Sequence, residues 1–402
     1  MQRKNIVLID YTLDGHHLSY LRTFSKVLLD QGNRVICIAP GVNKIKEWLL
    51  QTCAEKVEFF HSYEYITDSK SYQAFGKFNH TLSILSRWKI EASQIKNIQS
   101  ELKLKIDLVF YAWLDNQLAA FIPPFVLDKI FPFKWSGLYF HPLHLRLEAR
   151  SFKHKANWRD WDAILLAKNC LAVTVLDLGI QSGFQNRIGK RVIHFPDIAD
   201  DSTPDTNYAL AKEIKAKAAG RTVVGIIGCE GHKGTLTMAN LALLTNPQQF
   251  YFVFLGILPE QTYAKEDWEE LQVFIQENRE NCFFKFESLP EGAAYNAVFS
   301  TFDIPFLVYN NFVSSSNRLT KAAIFHKLVL AADKYCVGEN VQRYDLGEVV
   351  KPMDAEAALK GLEVVLQRIR SKSLPHKNWQ VYRELNSEAK LYERFAELTG
   401  LL

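Results

Sequence analysis

The chain has 402 residues, 48% hydrophobic and 23% charged, with a formal net charge of +4. That length suits two or three domains, and the composition excludes a low-complexity or disordered chain. The longest apolar runs fall well short of the ~20 residues of a membrane-spanning helix, and MQRKNIVLID enters a strand without a signal-peptide core.

Charge is unevenly spread. Residues 1–200 carry 26 Lys/Arg against 19 Asp/Glu, and the remainder 22 against 25. A basic first half fits an anionic membrane surface or an acidic acceptor, although an excess of this size also arises by chance. Cys37, Cys53, Cys170, Cys229, Cys282 and Cys336 stand singly, mostly in apolar segments. Buried reduced thiols and a cytoplasmic location are expected, with peripheral contact to the cytosolic face of a membrane as an option. No His/Cys cluster has metal-ligand spacing, so no metal is expected. Nucleic acid is not an expected partner, since no basic stripe is interleaved with aromatics.

In chain order, Asn5–Tyr11 reads as a buried parallel strand, His16–Gln31 as an amphipathic helix stopped by Gly32-Asn33, and Arg34–Pro40 as a second strand. This βαβ unit lacks the glycine-rich dinucleotide fingerprint, because its turn carries only Gly15 before His16 and His17. Strands are expected at Val57–His61, Asp107–Trp113, Trp135–Phe140, Leu171–Leu176 and Val192–Phe195. Helical stretches are expected over 70–103, 115–121, 158–168 and after Asp177. Residues 121–135, FIPPFVLDKIFPFKW, suit core, the lip of an acceptor site, or a peripheral membrane contact. Residues 198–207 are polar and aperiodic, the best domain boundary in the chain.

A second series follows. Strands are expected at Thr222–Ile227, Gln249–Leu255, Cys282–Phe286, Ile304–Val308, Leu328–Ala331 and Glu348–Val350. The helices between them run from the turn at 228–234 to Leu244, over Glu266–Glu280, Glu291–Phe299 and Gly338–Tyr344, with Ala355–Ile369 and 379–398 after the last strand. Gly228 to Gly234 closes a strand and opens a helix, with three glycines and Lys233 placed to approach a phosphate. After the strand at 304–308, Ser314, Ser315, Ser316 and Asn317 sit where a helix begins, with Arg318 and Lys321 on its first turn. N-capping residues and first-turn cations suit a bound anion.

The order VVGIIG…HKGTLTMANLALL, then YNNFVSSSNRLTKAAIFHKLVLAA, then GENVQRYDLGEVVKPMDAEAALKGL resembles the GT-B glycosyltransferases. Within them it is most similar to the retaining glycosyltransferase family 4, also known as glycosyl transferases group 1. DGHHLSYLRTFSKVLLDQGNRVICIAP is similar to that family's first βαβ unit. The resemblance implies an α/β fold of two Rossmann-like doubly wound domains facing across a cleft. It divides the chain into an acceptor-side domain at 1–197, a linker at 198–207, a donor domain at 208–377, and a C-terminal helix at 378–402 packing back on the first domain.

The resemblance implies transfer of a hexose-type sugar from a nucleotide-diphosphate donor to an unidentified acceptor, with retention and without metal or separate cofactor. It implies a donor-diphosphate site of Lys233, Gly234, Ser314, Ser315, Ser316, Asn317, Arg318 and Lys321. Gly228 and Glu291 are placed near the nucleotide, His141 and His16 in catalysis, and Gly15 and His17 on the acceptor side. His144, Arg146 and Arg150 suit either an anionic acceptor or a solvated face. The family's donor-site motifs are divergent here. Gly228 stands where the family has an arginine, and Val313 and Lys321 stand where it has two glutamates. A catalytically inactive homologue that binds a nucleotide sugar, a membrane surface or a partner is the alternative expectation.

Overall fold

The computed structural model describes residues 3–67, 79–147, 152 and 154–402. Positions 70–78 of the helix expected over 70–103, and Arg150, lie outside the described residues. The chain forms two compact units, Met1–Pro196 with Glu388–Leu402, and Asp197–Ser387.

The first unit is a seven-stranded parallel sheet of β1 (Asn5–Ile9), β2 (Arg34–Ile38), β3 (Phe60–Tyr63), β4 (Leu108–Tyr111), β5 (Trp135–Tyr139), β6 (Ala172–Val175) and β7 (Arg191–His194). Its strand order is β3-β2-β1-β4-β5-β6-β7. Parallel strands covered by helices on both faces need continuous apolar runs, and Ile6, Val7, Leu8, Val109 and Phe110 are accordingly fully buried. The chain starts mid-sheet, winds out to β3, then returns past β1 to β4. This reversal makes β1/β4 a topological switch point.

The second unit is a six-stranded parallel sheet of β8 (Thr222–Ile227), β9 (Phe250–Leu255), β10 (Cys282–Lys285), β11 (Ile304–Leu307), β12 (Val329–Ala332) and β13 (Gly347–Val350), ordered β10-β9-β8-β11-β12-β13. Its switch point lies at β8/β11. Helix Ala355–Arg370 buries Ala358, Leu362, Val365 and Leu366 at helical spacing, and the Asp354 carboxylate caps it by accepting from the Ala357 amide at 2.9 Å.

Several expected elements differ. Residues Ala54–Phe59 form a 3-10 helix, so the third strand begins at Phe60. The helix expected over 158–168 is a short turn at Ala163–Leu166. There the Asp160 carboxylate accepts from the Asn157 amide at 2.8 Å, and a side chain that binds local backbone competes with helix. Residues 121–135 contain a helix, Pro124–Ile130, which buries Leu127, and Phe131 beyond it is buried as well, while Phe121 and Phe125 face solvent. The tail is two helices rather than one, His376–Leu385 in the second unit and Glu388–Thr399 in the first.

The last helix is well anchored in the first unit. The Phe395 ring lies 5.2 Å from Phe24, 5.2 Å from Phe110 and 5.0 Å from Phe195. Lys26 pairs with Glu388, and Arg191 Nε donates to Glu397 at 3.0 Å. All six cysteines are buried free thiols. Among the described residues no helix is long and apolar enough to cross a membrane.

Candidate functional site

Open parallel sheets bind ligands beyond the carboxyl ends of their strands, at the switch point. In the second unit, 228–234 leaves β8 and 308–316 leaves β11. The two loops are knit together. The Asn310 amide donates to the His232 carbonyl at 2.8 Å, and the His232 and Phe312 rings stack at 5.8 Å. Gly234 has φ +79°, and a Cβ there would lie 2.0 Å from the Val308 carbonyl oxygen, so both conformation and close approach demand glycine. Gly228, with φ +82°, is demanded by its neighbours too. The place of its Cβ is 2.8 Å from Glu230 Oε2 and 3.0 Å from Arg318 Nη2.

Two cations converge on these loops. Lys233 Nζ lies 4.8 Å from the Tyr309 ring centre and 4.6 Å from that of Phe312. Burial, followed by repulsion from Arg318, pushes its ammonium down to about 7, with Glu230 opposing. Arg318 comes from the first turn of helix Asn317–Ile324, and its guanidinium contacts the hydroxyls of Tyr309 and Tyr295. Arg318 Nε, Glu230 Oε2 and Asn310 Oδ1 are buried with no hydrogen-bond partner among the described residues. Buried polar atoms are nearly always paired, so these three leave hydrogen-bonding capacity unused around the two loops.

The serine loop works differently from expectation. Ser316 is the N-cap residue, yet its hydroxyl makes no cap bond and lies 3.3 Å from the Tyr309 hydroxyl. Ser315 Oγ donates to Asp197 Oδ2 at 2.6 Å, and Thr320 Oγ1 donates to the Asp197 carbonyl at 2.9 Å. Ser314 is buried. The hydroxyls of Ser315 and Ser316 therefore hold the loop's shape. Asn317 opens the helix.

Lys321 is engaged within the protein. Its ammonium donates to the Asp200 carbonyl at 2.8 Å and to Asn296 Oδ1, beneath the Tyr295 ring at 5.0 Å. Burial lowers it to about 8, against the pull of Asp200 and Asp201. It ties residue 200 to helix Ala293–Ser300 and stands outside the cation pair. Glu291 is exposed just before that helix, close enough to act electrostatically on Tyr295 and Lys321. Val313 is buried.

The first unit carries a second cluster at its own switch point. Asp10 follows β1 and is 2% exposed. His17, in the first turn of helix His16–Asp30, places Nδ1 2.9 and 2.8 Å from its two carboxylate oxygens. Burial raises the Asp10 carboxyl, and His17 opposes the shift. Trp113, just after β4, stacks between His17 at 4.0 Å and Phe140 at 3.9 Å. The Asp115 carboxylate accepts from the Phe140 and His141 amides at 2.7 Å each, and His141 Nδ1 is 3.7 Å from it. Burial pushes the Asp115 carboxyl up to about 6.

Thus the structure joins His17 and His141 around Trp113. Gly15, with φ +56°, is the N-cap of the helix, and His16 is exposed at its first position. His144 Nε2 lies 3.3 Å from Asp162 Oδ2, and Arg146 forms an ion pair with Asp177 at 2.7 Å. Sequence reading missed Asp10, Trp113, Asp115, Glu230, Tyr295, Tyr309 and Phe312. The first two were signalled by position, each standing directly after a strand at the switch point.

Among the described residues no three His, Cys, Asp or Glu side chains converge as metal ligands. No protein-family model matches the sequence, and no curated protein is significantly similar to it. Solved structures match across the whole chain. HepE of Anabaena in complex with UDP-glucose is 14% identical, with TM-score 0.65 and 100% of each chain covered. Sucrose-phosphate synthase of Thermosynechococcus elongatus is 15% identical, with TM-score 0.66 and 98% of each chain covered. A glycosyltransferase of Rickettsia africae is 14% identical, with TM-score 0.64, covering 99% of this chain and 98% of its own. At these identities the likeness establishes the fold, and the fold is GT-B, an α/β arrangement of two Rossmann-like doubly wound units.

Proposed function

We propose that the chain is a metal-independent glycosyltransferase that binds a nucleotide-diphosphate sugar at the β8/β11 loops and transfers its hexose, with retention, to an acceptor. The observation that carries this reading is Arg318 reaching the place of the Gly228 Cβ, with Lys233 near enough to be repelled by it. The resemblance assigns an arginine to position 228. Here a guanidinium reaches that place from position 318, ninety residues on, and glycine leaves room for it. The cation expected by the family is kept and moved to another element. HepE, a structural neighbour, has been solved with UDP and with UDP-glucose, which supports the same ligand class.

Departure of a sugar from a nucleotide diphosphate leaves negative charge on the phosphate oxygens. Fixed cations aimed at that charge are the most effective means of stabilising it, and Lys233 and Arg318 fill that role. Glu230 Oε2, an acceptor without a partner, suits a hydroxyl of the donor. On the first unit, His17 oriented by Asp10, and His141 beside Asp115, face the acceptor. The donor is a substrate, and no separate cofactor is required. A second reading, binding without turnover, is favoured by Val313 and Lys321, which leave the donor loop without its two carboxylates.

Calorimetric binding of UDP-, GDP- and ADP-sugars, with donor hydrolysis measured alongside, tests both readings. One nucleotide should bind, and Lys233→Ala should weaken it at least about thirtyfold, as for a buried charge partner. Undiminished binding by that variant, or binding of no nucleotide, would refute the donor site. Binding without turnover across an acceptor panel would favour the second reading.

A further inference from the structure

We infer that the first unit docks on an anionic membrane surface through Phe121, Phe125, Trp158 and Trp161, flanked by Lys129 and Arg159. This does not rest on the donor-site reading. The four aromatic residues are 47%, 64%, 47% and 44% exposed. Single exposed aromatics are unremarkable, whereas a continuous set marks an interaction surface. Phe121 and Trp158 are in contact, Phe125 lies four residues beyond Phe121, and Trp161 three beyond Trp158. The Phe121 amide donates to the Trp158 carbonyl at 2.9 Å, and their rings lie 5.9 Å apart. Trp161 stacks on His80 at 5.1 Å, and His80 Nε2 is 3.2 Å from the Leu118 carbonyl, three residues before Phe121.

The charges around this set are sorted by sign. Phe125 and the exposed Lys129 are one turn apart on the solvent face of helix Pro124–Ile130, with Leu127 buried behind them. Arg159, exposed between the two tryptophans, has its guanidinium 5.3 Å from the Trp158 ring. The acids of the same stretches are engaged by backbone amides or by Arg187. The Asp128 carboxylate accepts from the Lys168 and Asn169 amides at 2.9 and 2.8 Å. Asp160 pairs with Arg187 at 3.2 Å, and the fully buried Asp162 pairs with it at 3.1 Å.

Aromatic side chains among outward cations, with the acids already engaged, match the headgroup zone of an anionic bilayer. There Trp and Phe insert at the interface, and each Lys or Arg is attracted to anionic lipid. A neutral glycan would leave both cations without a counterpart.

The test is co-sedimentation of the full chain with vesicles of phosphatidylcholine alone or mixed equally with phosphatidylglycerol. The chain should pellet with the anionic vesicles and release with salt. Lys129→Glu with Arg159→Glu should weaken partitioning at least about tenfold, and Phe125→Ser with Trp158→Ser should do the same at low salt. Circular dichroism and nucleotide binding should be unchanged in both variants. Absence of pelleting with anionic vesicles, equal pelleting with neutral ones, or full binding by either variant would overturn the proposal. So would a wild-type dimer in solution that both variants dissolve, since that assigns the surface to a second copy.

Discussion

Binding of a nucleoside diphosphate through Lys233 should carry a pH signature. The amine must be an ammonium to hold a phosphate, and in the unliganded protein it titrates at about 7. Below that pH the cation is already present. Above it the free protein holds a neutral amine, and each binding event must draw a proton from solution. Affinity therefore falls as pH rises, by up to about tenfold, or ~1.4 kcal/mol, per unit. Between pH 7, where half the amines are already neutral, and pH 9 the loss approaches about fiftyfold. The ligand adds little in this window, because a terminal phosphate loses its second proton near pH ~6. Of the neighbours, Arg318 stays charged, and His232 titrates below its ordinary value because burial and Lys233 both disfavour its charged form. Isothermal titration of UDP at pH 7, 8 and 9, in two buffers of different ionisation enthalpy, measures both affinity and proton uptake. Wild type should take up close to one proton at pH 9. Lys233→Arg, which cannot lose its charge, should bind with a flat profile. A flat wild-type profile, or an equal slope in Lys233→Arg, would refute the placement of the ammonium on the diphosphate.

Gly234→Ala places a Cβ 2.0 Å from the Val308 carbonyl in a left-handed conformation, so the unfolding midpoint in urea should drop by the equivalent of about 1–3 kcal/mol; an unchanged midpoint would mean the loops are not pressed together as described. Lys321→Met strands the buried Asn296 Oδ1 and leaves the Asp200 carbonyl with only the Asn296 side-chain amide, at 3.4 Å, among the described residues, and should cost about 1–3 kcal/mol of stability. UDP affinity should change less than about twofold, as expected when the altered residue lies outside the ligand contacts. A loss of affinity matching that of Lys233→Ala would put Lys321 back among the phosphate ligands.

The sheets could be read from the sequence because buried parallel strands are unbroken apolar runs, as in QFYFVFL for β9 and DLVFYAW for β4. Reading failed where side chains compete with the backbone, as at Asn157 and Asp160, or where a polar pair breaks a helix, as at Asn386-Ser387. The place of Lys233-Gly234 could be read from its position after β8. The role of Arg318 could not be read fully, because its approach to Gly228 depends on two strands being neighbours in space. The contacts of Lys321 were not legible either. That residue lies about 4.5 Å further along the helix axis, where buried acceptors from Asp200 and Asn296 claim it. The serines had the right chemistry for capping, but Asp197 and Tyr309 offered their hydroxyls other partners. Asp10 and Trp113 belong to no motif, and their meaning comes only from β1 and β4 lying side by side.

The placement of helix Glu388–Thr399 in the first unit has a consequence for biosynthesis. Domains generally fold as they emerge, the amino-terminal one first. Here the amino-terminal unit is the last to be completed, because Phe395 closes the ring cluster of Phe24, Phe110 and Phe195. A ring in such a position is worth about 3–5 kcal/mol by truncation to alanine. Until residues 388–402 emerge, a nascent chain carries three phenylalanines without their cover. Removal of residues 388–402 would return the first unit to that state.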